Sequence, residues 1–214
     1  MTAAGRQLPY VLGITGASGA VYGVRLLQFL LQRGHRVELI FSNAALLVAH
    51  HELGWKMAKG GVSRSLLEKY LALPIPERQL QVHGEKDFLA TVASGSHRTA
   101  GMMIVPCSMG TAAAIAHGLS QNLIGRAADV CLKQCRPLVV APRETPFSLI
   151  HLRNLTALAE AGAVVVPAMP GFYTLPRTLD DAVNFVVGKV LDAIGIDHDL
   201  FPRWREEETP AGEA

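Results

Sequence analysis

Arg143 and Glu144 stand side by side immediately beyond an apolar run that ends at Pro142. A guanidinium fork in that position can grip a phosphate in two parallel bonds, and the carboxylate beside it can orient a group or exchange a proton. Small polar groups recur in the same relation to other apolar runs. Thr15-Gly16-Ala17-Ser18-Gly19 follows the first, Ser42-Asn43 the second, Pro106-Cys107-Ser108 the third, and 167–173 the fifth. Ligands of open α/β sheets bind outside the carboxyl ends of the strands, so these loops together read as one site.

The first of them, within GITGASGAVYG at 13–23, has the G-x-x-G-x-x-G spacing that opens many dinucleotide sites. The second apolar run tests that reading. A dinucleotide site usually ends this strand in an acid for the ribose hydroxyls, and here the position is Ser42. None of Tyr10, Tyr22, Tyr70 or Tyr173 has the Lys four residues later that a short-chain dehydrogenase needs. A nicotinamide dehydrogenase is therefore disfavoured, and the uncharged donors Ser42 and Asn43 suit a mononucleotide phosphate better.

Other candidates have competing structural readings. Arg126 and Lys133 lie in apolar surroundings, where long cations usually snorkel or pair. Glu52, after AALLVAHH, is the only acid between Glu38 and Glu68 and reads equally as a surface carboxylate or a site acid. Asp180-Asp181 faintly resembles the Asp-rich magnesium motif of diphosphate prenyl enzymes. Thr178-Leu179-Asp180-Asp181 reads more simply as a helix cap, which implies no metal. Cys107, Cys131 and Cys135 are odd in number and lack the second pair of a zinc site. Buried reduced thiols are expected, with Cys131 and Cys135 on one helix and Cys107 nearest a site.

The positioning elements follow from periodicity. Apolar β-rich runs at 10–14, 37–41, 102–105, 138–141 and 163–166 alternate with helical segments, the pattern of a mostly parallel sheet with crossover helices. The expected architecture is a Rossmann-like three-layer α/β fold with helices on both faces. A first helix starts near Ser18, buries Val21, Val24, Leu27 and Leu31, and stops at Gly34. A last one runs from about Leu179 to Ile194. With 214 residues and 50% hydrophobic content, one domain over 1–204 is expected, followed by a polar, mobile tail at 205–214. The net charge of +2 argues against nucleic acid or an anionic membrane as a partner. The charge-free segment 99–125 is too polar for a membrane span, and the Gly-rich turn breaks a signal-like start after Arg6, so a cytoplasmic location is expected. A mean hydropathy of +0.25 points to apolar surface covered by other subunits.

Taken together, TGASGAVYG, ASGS at 93–96, PCS at 106–108, RAADVCLK at 126–133, RPLVVAPRETPFS at 136–148 and GFY at 171–173 closely resemble the UbiX-like flavin prenyltransferases, in order from about residue 10 to Trp204. The resemblance implies transfer of a dimethylallyl group from dimethylallyl monophosphate to N5 and C6 of reduced FMN. The prenylated FMN so formed would serve a UbiD-type decarboxylase. It implies that Ser18, Ser42, Ser108, Thr111 and Arg126 contact FMN, with Gly16 and Ala17 in the opening turn on the flavin side. Ser94, Gly95, Lys133, Arg143, Tyr173 and Lys189 would surround the prenyl phosphate, partly across a subunit interface. Ser18, Glu52 and Glu144 would handle protons and the leaving group. A homo-oligomer, typically a dodecamer, is implied, with no metal. One departure stands out: the family often has Arg at 189, so Lys189 keeps the charge and loses the fork.

A flavin-dependent cysteine decarboxylase shares the fold and FMN, but that family resembles PASANT at its substrate loop, where this chain has ASGS. It also uses a catalytic His near the position of Glu52, leaving His50 and His51 to serve it. A non-catalytic FMN carrier is the third reading; it binds FMN without turnover and tolerates loss of Glu144.

Overall fold

The computed structural model describes residues 7–56 and 61–203. The tail expected at 205–214 lies outside them. Six strands, β1 (Tyr10–Ile14), β2 (Val37–Phe41), β3 (Leu80–His83), β4 (Gly101–Cys107), β5 (Leu138–Pro142) and β6 (Val164–Val165), form one sheet in the order β3-β2-β1-β4-β5-β6, every pair parallel. The helices are α1 (Ala20–Gln32), α2 (Asn43–Leu53), α3 (Arg64–Leu71), α4 (Met109–Ala116), α5 (Leu123–Lys133), α6 (Leu149–Glu160) and α7 (Leu179–Ile194).

Burial on both faces makes the central strands predominantly apolar, with Glu38 of β2 the one charged residue among them. Leu12, Ile14, Leu39, Phe41, Met103, Val105, Val139 and Ala141 face a core completed by α1, α2, α3 and α7. Val11, Ile40, Met102, Ile104, Leu138 and Val140 face the opposite core, with α4, α5 and α6. This is the expected three-layer α/β fold. Its strand order reverses beside β1, so the loops after β1 and β4 diverge and leave a crevice at their carboxyl ends.

Three expectations are corrected. The strand β3 was not anticipated: as an edge strand with an exposed Gln81 and a terminal His83, it lacks the apolar continuity of its neighbours. Helix α1 starts at Ala20 because Gly19 takes φ +100°, and its buried residues are Ala20, Gly23, Leu26, Leu27, Phe29, Leu30 and Leu31; Val21 and Val24 are only half-buried. Cys135 lies past the end of α5 and is exposed. The other two thiols are buried as expected, and burial pushes them up to about 12 for Cys107 and about 11 for Cys131.

Gly23 explains the close seat of α1 on β4, since a Cβ there would stand 2.2 Å from the carbonyl oxygen of Val105. Gly23→Ala is expected to destabilise by about 1–3 kcal/mol, as overpacking against backbone does, and to lower the thermal unfolding midpoint. A midpoint at or above that of the wild type would contradict this packing.

Among the described residues, no helix is long and apolar enough to cross a membrane. Leu47, Leu89, Leu149, Ile150, Phe172, Leu175 and Leu179 are nevertheless exposed, apolar surface of the kind the mean hydropathy of +0.25 points to.

Candidate functional site

Hydrogen bonds between loops close the crevice beyond β1 into a defined site. Thr15, buried at the end of β1, donates from Oγ1 to the carbonyl of Pro106 at 2.8 Å and accepts from the Ser108 amide at 2.7 Å. The Ser42 amide donates to the carbonyl of Ile14 at 3.0 Å. The turns after β1, β2 and β4 are thereby held edge to edge. Gly16 is required where they touch, because a Cβ on it would lie 2.4 Å from that of Ala44 in the first turn of α2.

Helices that follow parallel strands point their amino ends, and their unpaired N–H groups, at this edge. Ser42 caps α2 by accepting from the Ala45 amide, and Ser108 caps α4 by accepting from that of Thr111, whose hydroxyl lies 3.0 Å away. Capping uses only the acceptor side of the Ser42 and Ser108 hydroxyls, so it does not compete with donation to a bound anion.

The amino end of α1 is occupied differently. The carboxylate of Glu52, from α2, accepts from Gly19 at 2.9 and 3.1 Å and from Ala20 at 2.9 Å. Partial desolvation raises its carboxyl, but hydrogen bonds from Ser18, Gly19 and Ala20 and the charge of Arg143 outweigh this and hold it below the ordinary glutamate value. Glu52 is therefore an ionised acceptor near neutral pH. The Gly19 and Ala20 amides of the Gly-rich turn are met from within the chain by this carboxylate.

Arg143 completes the cluster. Its Nε donates to the carbonyl of Ser18 at 3.0 Å, and its amide to that of Cys107 at 3.3 Å. Burial raises the Tyr22 phenol while the Arg143 charge pulls it down, which puts the guanidinium within the field of both Tyr22 and Glu52. Glu144, next in the chain, accepts from the Thr145 amide at 3.0 Å. Ser18, Glu52 and Arg143 thus meet, with Glu144 on the adjoining loop, in an arrangement that joins a cation for phosphate oxygens to carboxylates able to handle protons.

The remaining residues read from the sequence form two further groups. Beside α5, Arg126 donates to the carbonyl of Ala93 at 3.0 Å and to Asp129 at 2.8 Å, and Lys133 lies 3.8 Å from the same Asp129. Ser94 and Ser96 share a hydroxyl contact of 2.8 Å, and Arg136 grips the carbonyl of Gly95 at 2.6 Å. Beside α7, Tyr173 packs edge-on against Phe185. The ammonium of Lys189 lies 5.7 Å from the Phe185 ring centre, 5.1 Å from that of Phe201 and 3.7 Å from Asp192. It borders a cavity of about 340 Å³ lined by Val165, Val166, Pro167 and Met169. At 180–181 the cap reading holds: Thr178 and Asp181 form a reciprocal capping box on α7, and Asp180 pairs with Arg25.

Sequence reasoning missed Glu85, whose carboxylate accepts from the Asn43 amide at 2.9 Å and from Asn122 at 3.0 Å. It fastens the amino end of α2 to the cap of α5. The signal was its place just after β3, and missing that strand hid it. Asp129 and Arg136 were also missed, because their partners become visible only once the loops are placed.

A model of the Flavoprotein family matches residues 3–191. The chain is 49% identical over 195 residues to the flavin prenyltransferase UbiX of Alkalihalophilus pseudofirmus, covering 91% of this chain and 95% of that protein. It is 46% identical over 203 residues to the flavin prenyltransferase UbiX of Pseudomonas aeruginosa, covering 94% and 96%. Among solved structures, AnUbiX in complex with FMN and dimethylallyl pyrophosphate superposes with a TM-score of 0.81 at 37% identity, covering 93% of this chain and 98% of that one. A dodecameric FMN-dependent UbiX-like decarboxylase from Escherichia coli O157:H7 gives 0.79 at 40% identity, covering 92% and 99%. The FMN-dependent cysteine decarboxylase TvaF gives 0.55 at 17% identity over 89% and 99%, a likeness of fold alone.

Proposed function

This chain belongs to the flavin prenyltransferase UbiX family, and from that premise we propose that it transfers a dimethylallyl group from dimethylallyl monophosphate to reduced FMN. The observation that carries the reading is the meeting of Ser18, Glu52 and Arg143 at the carboxyl ends of β1 and β5, beside helices capped by neutral hydroxyls. FMN fits this donor set: Ser42, Ser108 and Thr111 supply uncharged donors, Arg126 a cation, and Gly16 with Ala17 a turn without bulk. When bound, reduced FMN supplies the electron-rich ring whose N5 and C6 take the new bonds.

The residues of the chain serve the other half of the reaction. Breaking the allylic C–O bond leaves positive charge on carbon and both electrons on the departing phosphate, so fixed cations around the phosphate oxygens lower the barrier. Arg143, Lys133 and Lys189 take that role, with Ser94, Gly95 and Tyr173 shaping the pocket. Ser18, Glu52 and Glu144 move the protons, including the one lost as the ring closes at C6. With cations doing the neutralising and Asp181 committed to the α7 cap, the reaction runs without a divalent metal. The product leaves for a UbiD-type decarboxylase. Residues 1–204 act as one cytoplasmic unit, and the exposed apolar side chains support a homo-oligomer, a dodecamer in our reading.

Mass spectrometry of the flavin after incubation with reduced FMN and dimethylallyl monophosphate, in excess EDTA, is the test. A flavin heavier by one dimethylallyl group is expected; a flavin unchanged both in EDTA and with magnesium restored overturns the assignment, and transfer seen only with magnesium overturns its metal independence. Dimethylallyl diphosphate in a parallel arm reads donor selectivity.

Lys189→Ala is expected to lower the specificity constant for dimethylallyl monophosphate by the equivalent of about 1–3 kcal/mol, as for a lost charge-assisted bond, with FMN affinity unchanged. Lys189→Arg should keep most activity. An assembled Lys189→Ala enzyme with wild-type kinetics would reduce Lys189 to a cover for Phe185 and Phe201.

A further inference from the structure

We propose that Glu38 is a positioning residue for prenyl-donor binding, holding the Ser94 and Gly95 segment through His97. The inference rests on the reading that this segment contacts the donor phosphate. Glu38 is the one charged residue in the strand VELIF, and only 8% of its side chain is exposed. Packing alone does not call for a carboxylate there, since an apolar residue would fill the position without desolvation.

Its two oxygens address different elements. Oε2 is hydrogen-bonded to His83 of β3, while Oε1 lies 3.3 Å from Nε2 of His97, three residues beyond Ser94. That nitrogen is buried and has no aligned hydrogen-bond partner among the described residues, which leaves the nearby carboxylate as its electrostatic anchor. The opposite side of the segment is held through its backbone. Arg136 donates to the carbonyls of Gly95 at 2.6 Å and His97 at 2.7 Å. One clamp grips the main chain and the other attracts the imidazole.

His97 borders an open cavity of about 970 Å³, also lined by Arg36, Glu77, Arg78 and Asp87. Packing leaves the ring room to move, with 27% of the side chain exposed, so the contact with Glu38 has a placement to enforce. The Ser94 hydroxyl, in contact with that of Ser96, is carried on the same short stretch.

The test uses the full chain as wild type, His97→Ala and His97→Gln, with dimethylallyl monophosphate varied at saturating reduced FMN. His97→Ala should raise KM about tenfold, the scale of a lost contact to a charged group, while kcat stays within about twofold and FMN affinity is unchanged. A glutamine amide can take the place of Nε2, so His97→Gln should return KM to within about threefold of wild type. An unchanged KM in His97→Ala overturns the proposal. So does a joint decline of KM, kcat, FMN affinity and thermal midpoint that His97→Gln fails to rescue, which marks a purely structural role. Calorimetric binding of dimethylallyl monophosphate to the FMN-loaded chain reads the same contact without turnover. If the wild type binds the donor but transfers nothing, the proposed function fails, and the ratio of the wild-type and His97→Ala dissociation constants still decides whether the Glu38–His97 contact positions the donor segment.

Discussion

Glu144→Gln should slow single-turnover prenyl transfer by about 10²–10⁴-fold, the usual worth of a positioned acid or base, while FMN binds as in wild type. The substitution is chosen for what it preserves. Glu144 sits just past β5, and its carboxylate accepts from the Thr145 amide at 3.0 Å. The glutamine carbonyl can accept that bond, so the loop that carries Arg143 keeps its shape. What disappears is the negative charge and the capacity to take and return a proton. Rapid-quench measurement with preloaded flavin separates the two effects, because binding is complete before the donor is added. A rate near that of wild type would remove Glu144 from the chemistry and favour a chain that carries flavin without transforming it.

Arg143→Ala should lower kcat/KM for the prenyl donor by about 10²–10³-fold, comparable to removing one preorganised donor from a developing anion. Two losses coincide: the cation proposed to face the leaving group, and the Nε bond that fixes the carbonyl of Ser18 at 3.0 Å. Arg143→Lys should recover part of the activity, since charge returns without the fork. The pH profile supplies an independent reading. The Glu52 carboxyl is raised by desolvation and lowered by its hydrogen bonds and by Arg143, with the lowering causes ahead. Removing Arg143 takes away one of them, so Glu52 holds its proton to higher pH. The acid limb of kcat/KM in Arg143→Ala should therefore shift upward. A shift downward, or wild-type kcat/KM, would detach Arg143 from both Glu52 and the phosphate.

Legibility varied with how local the physical cause is. The strands β1, β2 and β5 were readable because burial on both faces makes them apolar, save for Glu38 in β2, and α7 because Thr178 and Asp181 write its cap within four residues. The edge strand β3 was not, since one open flank relaxes the demand for apolar residues; with it went Glu85, His83 and the whole environment of Glu38. The start of α1 moved by two residues because φ +100° at Gly19 is set by its neighbours rather than by helical periodicity.

The sequence by itself determined the three-layer class, the cap of α7, the family and the inventory of polar groups at the strand ends, for each is encoded in runs and short motifs. Only the tertiary structure decided who meets whom. Glu52 reaches the amino end of α1 across 33 residues of chain, and Arg143 reaches the Ser18 carbonyl across 125. Periodicity reports which face of an element is buried, and carries no term for two elements brought together at a sheet edge. That Glu52 takes the Gly19 and Ala20 amides follows from the parallel topology, which sets the last turn of α2 against the first turn of α1.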